Sequence, residues 1–236
     1  MSYEGLSNLH LMAKAGNYNS WMFRAVRPWV GERILEIGAG IGTVTEFLLD
    51  REHVTSTEMD EECLAELSRR FRGKPNVEVR HLDIARADGE TAESLAGKGF
   101  DTVLGFNVLE HIPDDVQALK RIKQIAPKGT LLLVVPALPF LYGVEDRAVG
   151  HFRRYSKGET QEKLRAAGYH AEKIFYFNSL GAVFWFLKNR VLKTPPTTAG
   201  NVAVYDRYVV PVLSRVEGVL PAPFGQSLVI VGRPLP

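Results

Sequence analysis

Short apolar runs alternate with segments of helical periodicity along most of this 236-residue chain. Strand-like runs lie near residues 33–37, 53–57, 77–82, 100–106 and 130–135, and two more follow at Tyr169 to Phe177 and Ser227 to Gly232. Apolar residues at helical spacing lie near 43–50, 60–71, 113–126 and 156–167, after an N-terminal helical segment from Leu6 to Val30. Strands and helices that alternate in this way predict an α/β fold with a parallel, doubly wound sheet.

The first strand runs directly into three alternating glycines, Gly38, Gly40 and Gly42. Glycines at the end of a strand let the backbone adopt positive φ and approach a ligand, and open α/β sheets bind nucleotide-like ligands at this edge. Thr43 occupies the place of the third glycine in the dinucleotide fingerprint. Glu36 would repel a pyrophosphate but could orient an ammonium group, which S-adenosylmethionine carries.

Residues 36–42 resemble the first motif of the class I S-adenosylmethionine-dependent methyltransferases, and further matches extend the resemblance over roughly residues 30–177. The resemblance implies a single domain over 1–236 with a seven-stranded, Rossmann-like doubly wound sheet. That sheet is mostly parallel with an antiparallel last strand and has helices on both faces. This chain departs from the minimal fold by insertions that predict a helical lid. The predicted parts are an N-terminal helical cover (1–30), a cofactor-binding core (31–177), substrate-side insertions (136–155 and 178–226) and a last strand with a tail (227–236).

The same resemblance implies S-adenosyl-L-methionine as cofactor and S-adenosyl-L-homocysteine as product. Glu58, eighteen residues past Gly40, is predicted to accept hydrogen bonds from ribose hydroxyls, and Asp83 to face the adenine amino group. Both also fit plainer roles, a charge at a helix terminus and a turn cap. The predicted cofactor-binding residues are Tyr18, Glu36, Gly38, Ala39, Gly40, Gly42, Glu58, Met59, Asp83, Ile84, Asn107 and Val108.

Two histidines are the candidates for a catalytic base. A sulfonium methyl is already a good electrophile, so transfer to a hydroxyl needs in-line placement, exclusion of water and removal of one proton. His111 follows the fourth strand and His151 lies in the 136–155 insertion, where Asp146 could orient one of them. For His111, an imidazole satisfied by nearby backbone groups is an equal alternative.

The 136–155 insertion is dense in ionisable and aromatic residues at the carboxyl end of a central strand. Loops there usually carry binding residues, and two adjacent arginines could clamp a carboxylate or a phosphate. The predicted substrate-binding residues are Tyr142, Arg153, Arg154 and Tyr155. The alternative is a salt-bridged surface loop in which Glu145 and Asp146 pair with the arginines.

The 178–226 insertion begins with the apolar run 179–187 and continues with Lys188, Arg190 and Lys193. The run is too short to span a bilayer. It favours a helix that packs over the substrate pocket; the alternative is an interfacial helix whose aromatic residues enter a membrane surface.

Composition is typical of a soluble enzyme. The chain has 29 basic and 27 acidic residues, and this balance implies no general attraction to nucleic acid. A single cysteine, Cys63, excludes an internal disulfide framework, and the lack of a basic-then-apolar leader predicts a cytoplasmic protein. The six histidines show no closely spaced ligand pair, so we expect no metal.

The sequence therefore predicts a methyltransferase that acts on a small acceptor, anionic or lipid-linked, with a hydroxyl oxygen as the favoured methylated atom. Two alternatives stay open at this point. One is a catalytically silent cofactor-binding adaptor that acts through its hydrophobic insertion. The other is an NAD-linked oxidoreductase, which Thr43 and Glu36 oppose.

Overall fold

The computed structural model describes residues 3–187 and 199–236 and contains one seven-stranded sheet in the order β3-β2-β1-β4-β5-β7-β6. The strands are β1 (Arg33–Ile37), β2 (His53–Glu58), β3 (Val77–His81), β4 (Thr102–Phe106), β5 (Thr130–Pro136), β6 (Tyr169–Phe177) and β7 (Ser227–Pro234). Six strands are parallel, and β7 runs antiparallel between β5 and β6. The predicted fold class is confirmed.

Ten α-helices lie in the part of the chain that the structure describes. They are α1 (Tyr3–Ala13), α2 (Gly16–Val26), α3 (Glu61–Arg70), α4 (Gly89–Ala96), α5 (Asp115–Ile125), α6 (Val144–Ala148), α7 (Lys157–Ala166), α8 (Ser179–Phe186), α9 (Ala199–Val204) and α10 (Val210–Val219). A π-helical segment, Tyr205–Val209, joins α9 to α10.

Alternate residues of the central strands point to opposite faces of the sheet, and each face is covered by helices. Leu131 and Leu133 of β5 belong to the core beneath α4, α5 and α7, whereas Leu132 and Val134 belong to the core beneath α2 and α10. All seven residues of β5 are buried, as expected for a central strand covered on both sides. The layers therefore follow the α/β/α arrangement that the alternation predicted.

The prediction and the structure differ at two elements, one helix that was predicted too long and one that was not predicted. Residues 43–50, predicted as a helix, form only a 3₁₀ turn, Thr45–Leu48. Three β-branched residues in a row, 43–45, disfavour a longer helix directly after the glycines. Helix α4 was missed because it buries only Ala92 and Leu95, too few apolar positions to show a helical period.

The helices of the 178–226 insertion leave apolar stripes in contact with solvent. On α8 the exposed apolar residues follow helical spacing at Leu180, Val183, Phe184 and Leu187, and on α10 at Val212, Val216 and Val219. The predicted basic end of the first helix, Lys188, Arg190 and Lys193, lies outside the described residues. Within the described ranges, no helix has both the length and the apolar character needed to cross a bilayer.

Candidate active site

The glycine loop follows β1 at the point where the strand order reverses between β1 and β4. All three glycines have positive φ: 66° at Gly38, 56° at Gly40 and 84° at Gly42. A Cβ on Gly38 would stand 2.6 Å from Cγ2 of Val108, on the loop after β4. This glycine therefore lets the loops that follow β1 and β4 pack against each other and form one edge of the crevice.

Helix α1 lies over this loop. A Cβ on Gly40 would stand 3.4 Å from Cδ1 of Leu9, and Nε2 of His10 lies 3.3 Å from Oε2 of Glu66 on α3. The N-terminal segment is thus in the position expected of a cover over the crevice.

Glu58 ends β2 with a buried carboxylate that accepts three backbone N–H groups. The N–H of Gly40 donates to Oε2 at 2.8 Å, and the N–H groups of Met59 and Asp60 donate to Oε1 at 2.8 and 2.9 Å. A carboxylate has about four acceptor positions, so about one is left for a ligand hydroxyl. The side chain both fixes the glycine loop and presents an acceptor beside it, and Met59 next to it is 58% exposed at the crevice mouth.

Glu36 lies beneath the loop and is 3% exposed. Its Oε2 accepts the hydroxyls of Thr45 at 2.6 Å and Ser56 at 2.7 Å. Burial raises the pKa of the Glu36 carboxyl, and these two hydrogen bonds oppose the rise. The structure thus shows Glu36 as internal support for the loop, and its predicted contact with a ligand ammonium stays a prediction.

The loop after β3 carries Asp83 and Ile84. Oδ1 of Asp83 accepts the N–H of Ala85 at 2.9 Å, while Oδ2 lies 3.7 Å from Nε of Arg86. The carboxylate is 21% exposed, and the side chain of Ile84 is buried. Asp83 therefore caps its own turn and still has an oxygen toward solvent, which combines the two alternatives that the sequence left open.

Asn107 starts the loop after β4 with a left-handed backbone, φ 54°, and its N–H donates to the carbonyl of Val134 at 2.8 Å. Asparagine tolerates this conformation better than most residues, but it still stores local strain. The turn leaves the Asn107 side chain exposed and places Val108 against Gly38.

An ionisable cluster begins on the same loop, with buried Glu110 and exposed His111, and half-buried His151 joins it from the 136–155 insertion. Glu110 has no exposed surface, and neither carboxylate oxygen has a hydrogen-bond partner among the described residues. The imidazole of His151 lies with Nε2 3.9 Å from Oε1 of Glu110, and its ring centroid lies 4.7 Å from that of His111. Burial raises the pKa of Glu110 to about 8 and, with His151 nearby, lowers the pKa of His111 to about 4.

The 136–155 insertion holds His151 in this cluster. The N–H of Phe152 donates to the carbonyl of Glu110 at 2.7 Å, and Nδ1 of His151 lies 3.0 Å from Oδ1 of Asp146. Burial opposes ionisation of Asp146, but the hydrogen bonds from His151 and Arg154 outweigh it and hold the pKa of this carboxyl below its usual range. Asp146 is therefore an anion that orients the His151 ring, as predicted for it from the sequence.

A family model described as a methyltransferase domain matches residues 35–132. A probable S-adenosylmethionine-dependent methyltransferase of Mycolicibacterium smegmatis is 27% identical over 153 residues, 63% of this chain and 56% of that protein. The ubiquinone biosynthesis O-methyltransferase of Mesorhizobium japonicum is 31% identical over 119 residues, 47% of this chain and 43% of that protein. Residues 35–132 thus match a methyltransferase domain, and the predicted resemblance to the class I S-adenosylmethionine-dependent methyltransferases is confirmed.

A solved structure of this family shares the fold. The methyltransferase CalH, crystallised with S-adenosylhomocysteine, has a TM-score of 0.57 and 19% identity over 94% of this chain and 59% of its own. The chain spans about half the length of the curated relatives it matches. The class I cofactor fits the residues present: a methyl group at Gly38 would collide with Val108, and Glu58 and Asp83 end neighbouring strands with an acceptor oxygen each.

Several residues that were predicted to bind the substrate lie outside the acceptor pocket. Tyr155 is 2% exposed and donates its hydroxyl to Oδ2 of Asp115 at 2.9 Å. Arg153 lies 2.7 Å from the same oxygen, and Lys163 donates to it at 2.6 Å. Arg153 and Tyr155 therefore anchor the insertion to the start of α5, and this contradicts the predicted placement of these two side chains in the acceptor pocket.

Arg154 is equally committed to internal contacts. Its Nε lies 2.9 and 3.0 Å from the two oxygens of Asp146, and its guanidinium stacks 4.6 Å from the ring centroid of Trp185 on α8. It is 4% exposed. The arginine pair thus does not form the predicted clamp, because each arginine binds an aspartate of this chain; the salt-bridged alternative describes the loop, with Asp146 as partner.

Two aromatic residues of the prediction take other places. The hydroxyl of Tyr142 donates to the carbonyl of His151 at 2.7 Å and so supports the cluster from behind. The hydroxyl of Tyr18 is hydrogen-bonded to Ser227 and Asn178, at the ends of β7 and β6. These two strands, β7 and β6, lie three and four strand spacings from β1, about 14 and 19 Å. The structure therefore does not bring the Tyr18 hydroxyl to the glycine loop.

Sequence reasoning missed Glu110 as part of the site. The signal was present in the adjacent Glu110-His111 pair, but His151 lies forty residues later, and only the return of the insertion onto the loop after β4 brings the three together. The spacing of residues along the sequence does not predict this contact between His151 and the Glu110-His111 pair.

Proposed function

We propose that this chain is an S-adenosylmethionine-dependent methyltransferase that transfers a methyl group to a hydroxyl oxygen of a small-molecule acceptor. The observation that carries the proposal is the cluster of buried Glu110, half-buried His151 and exposed His111, two of which lie on the loop that packs against Gly38. A cofactor on the glycine loop would place its sulfonium near this cluster, where an imidazole can take the acceptor proton.

The chemical step is an in-line displacement. The acceptor oxygen forms a bond to the methyl carbon as the carbon–sulfur bond breaks, the electron pair goes to sulfur, and S-adenosylhomocysteine leaves neutral at that atom. The hydroxyl proton must leave the oxygen, and His111 and His151 are the basic groups at hand, with Asp146 able to stabilise a charged His151. The O-methyltransferase name of the Mesorhizobium relative supports oxygen as the acceptor atom.

The test is methyl transfer from isotope-labelled S-adenosylmethionine to a panel of hydroxylated small molecules and their amine analogues, with the labelled atom located by mass spectrometry. We expect label on oxygen, a His151→Ala variant that keeps cofactor affinity but loses turnover, and a control variant, His170→Gln on exposed β6 surface, that keeps both. Label on nitrogen or carbon would contradict the hydroxyl acceptor.

One observation favours a lipid-linked acceptor as a second candidate. The stripes on α8 and α10 leave Phe184 49%, Val212 60%, Val216 49% and Val219 81% exposed. Apolar faces of this kind on two helices of one insertion are typical of binding to an apolar partner or a membrane surface.

Vesicle flotation tests this candidate. We expect the protein to float with vesicles that contain anionic lipid and a Phe184→Ser, Val216→Ser double variant to stay in the dense fraction. A Ser substitution at exposed Phe152, outside the insertion, is the control. If the unaltered protein does not float, the acceptor is not presented at a membrane surface.

A further inference from the structure

The side chains of Glu110, His111 and His151 have the composition of a metal site, with the carboxylate buried, His151 half-buried and His111 exposed. We propose that Glu110, His111 and His151 bind a divalent transition-metal ion, with Zn²⁺ and Mn²⁺ as the ions that suit two imidazoles and one carboxylate. One donor atom from each residue lies within 4.8 Å of the other two. Ligand atoms around a tetrahedral zinc stand about 3.4 Å apart, so the 3.9 Å between Nε2 of His151 and Oε1 of Glu110 needs a shift of about 0.5 Å.

Glu110 supplies an independent reason to expect a cation. Its side chain is fully buried, and both carboxylate oxygens lack a hydrogen-bond partner in the described part of the chain. Buried polar atoms are nearly always paired, and an unpaired carboxyl group costs free energy unless a cation or a donor reaches it. A metal ion between Glu110 and the two histidines satisfies this carboxylate.

The surroundings orient both imidazoles for coordination. The contact of Nδ1 of His151 with Asp146 leaves Nε2 of that ring toward Glu110. The His111 ring lies beside Gly150, where an added Cβ would stand 3.9 Å from Nδ1. Carboxylate and carbonyl partners on the far nitrogen are the usual outer contacts of metal-binding histidines.

A second layer of contacts holds Asp146 in place. Gly143 donates its N–H to Asp146 at 2.9 Å, and the Arg154 guanidinium binds both carboxylate oxygens while stacking on Trp185. The site is thus assembled by two loops, after β4 and after β5, that are fastened to each other and to α8. Three protein ligands leave a coordination position for one more oxygen ligand.

That open position gives the ion a role, and this part rests on the proposed function. A hydroxyl or phenol oxygen bound there loses its proton more readily and is fixed in position next to the crevice. With the ion bound, both imidazoles are ligands, and coordination rather than an imidazole base promotes loss of the proton, which passes to solvent water. The sequence prediction of no metal considered only spacing along the chain; this proposal replaces it.

The test uses the full chain after treatment with a chelator, titrated by calorimetry with ZnCl₂ and, separately, MnCl₂. We expect one ion per chain with micromolar or tighter affinity, a loss of at least 100-fold in Glu110→Gln and in His151→Ala, and a loss of about 10- to 100-fold in Asp146→Asn. His170→Gln is the matched control and should keep the affinity of the unaltered protein.

A spectroscopic measurement on the unaltered protein covers the case in which a variant fails to fold. Electron spin-echo spectra of the Mn²⁺-loaded chain should show nitrogen couplings from two imidazoles. Absence of one-to-one binding, absence of nitrogen couplings, or unchanged affinity in folded Glu110→Gln and His151→Ala would overturn the proposal. S-adenosylhomocysteine affinity, measured on the same samples, reports on the methyltransferase proposal separately, since it depends on the glycine loop rather than on the ion.

Discussion

At Gly42 the glycine loop meets α3 so closely that a Cβ would stand 2.3 Å from Cε2 of Phe71 and 2.8 Å from Cδ1 of Leu67. Gly40, two residues earlier, would meet only Leu9 of α1 at 3.4 Å. The two glycines thus have different functions although the sequence shows them as equivalent members of one motif. Gly42 permits packing of loop on helix, and Gly40 keeps the backbone open toward the crevice.

Gly42→Ala should therefore destabilise the fold more than an alanine at another positive-φ glycine. Gly73, at φ 81°, has nothing within 4 Å of its added Cβ and is the matched control for backbone strain alone. We expect about 1–2 kcal/mol for Gly73→Ala and about 2–4 kcal/mol for Gly42→Ala, since the second adds overpacking to strain. Urea unfolding measures both, and equal losses would show that Phe71 and Leu67 yield without cost.

Single residues also mark the limit of sequence reasoning. Glu58 and Asp83 lie at and just after the carboxyl ends of β2 and β3, as the predicted strands indicated, and their contacts with a cofactor stay predictions. The pairing of Arg154 with Asp146 was one of the two alternatives that the sequence left open, but the inward direction of Glu36 and the contacts of Arg153 and Tyr155 with Asp115 could not be predicted. These depend on how one long loop returns to the sheet, and a charge pattern alone does not distinguish a side chain that faces a ligand from one that faces Asp115 or Asp146.

At the scale of elements, the Trp185 side chain fastens α8 to the 136–155 insertion. Trp185 donates Nε1–H to the carbonyl of Leu141 at 3.1 Å and supports the Arg154 guanidinium at 4.6 Å. The sequence predicted helices in this insertion but not the contact, because Trp185 stands in an apolar run with no sign of its partner. The contact links the substrate-side insertions to each other.

Trp185→Leu should lower the free energy of unfolding by about 2 kcal/mol, since a hydrogen bond and a cation–π contact are lost together. Phe186→Leu, at the exposed neighbouring position, is the control and should change stability by about 0.5 kcal/mol or less. Chemical denaturation followed by circular dichroism gives both values. A Trp185 variant as stable as the control would mean that α8 is held by other contacts.

At the scale of the whole molecule, the alternation of strands and helices predicted a parallel, doubly wound sheet, whereas the hairpin with its antiparallel last strand was implied by the resemblance to the methyltransferases. The spacing of apolar residues along a strand or helix indicates whether one or both of its faces are buried. A doubly wound sheet also has few alternative topologies. The candidate ion site was beyond reach because it joins residues forty positions apart through loops. The sequence thus predicts the sheet and its helices well, and it predicts poorly how the loops that would bind the acceptor pack together.

One charge cluster makes the stability of the whole fold depend on pH. Burial opposes ionisation of Asp115, but hydrogen bonds from Lys163, Arg153 and Tyr155 outweigh it and hold the pKa of this carboxyl below its usual range. The folded state therefore binds the proton less tightly than the unfolded chain. The stabilisation is present above about pH 4 and is lost as the pH falls through the lowered pKa.

Asp115→Asn should cost about 2–3 kcal/mol at pH 7, and the difference from the unaltered protein should shrink as the pH falls below about 4. Urea unfolding of both proteins at a series of pH values checks this. Glu172→Gln, an exposed pair with Arg233 on the far strands, is the comparison and should cost much less at pH 7. A difference for Asp115→Asn that stays constant across the series would rule out ionisation as its source.

The most direct test of the central claim is calorimetric titration of the chain with S-adenosylhomocysteine, with NADH as the competing ligand class. A Gly40→Arg variant would fill the crevice beside Leu9 and Glu58, and Gly73→Arg on open surface is its control. The account predicts one-to-one micromolar binding of S-adenosylhomocysteine that Gly40→Arg abolishes and Gly73→Arg keeps, with no binding of NADH. Binding of NADH in its place, or no binding of S-adenosylhomocysteine, would contradict it.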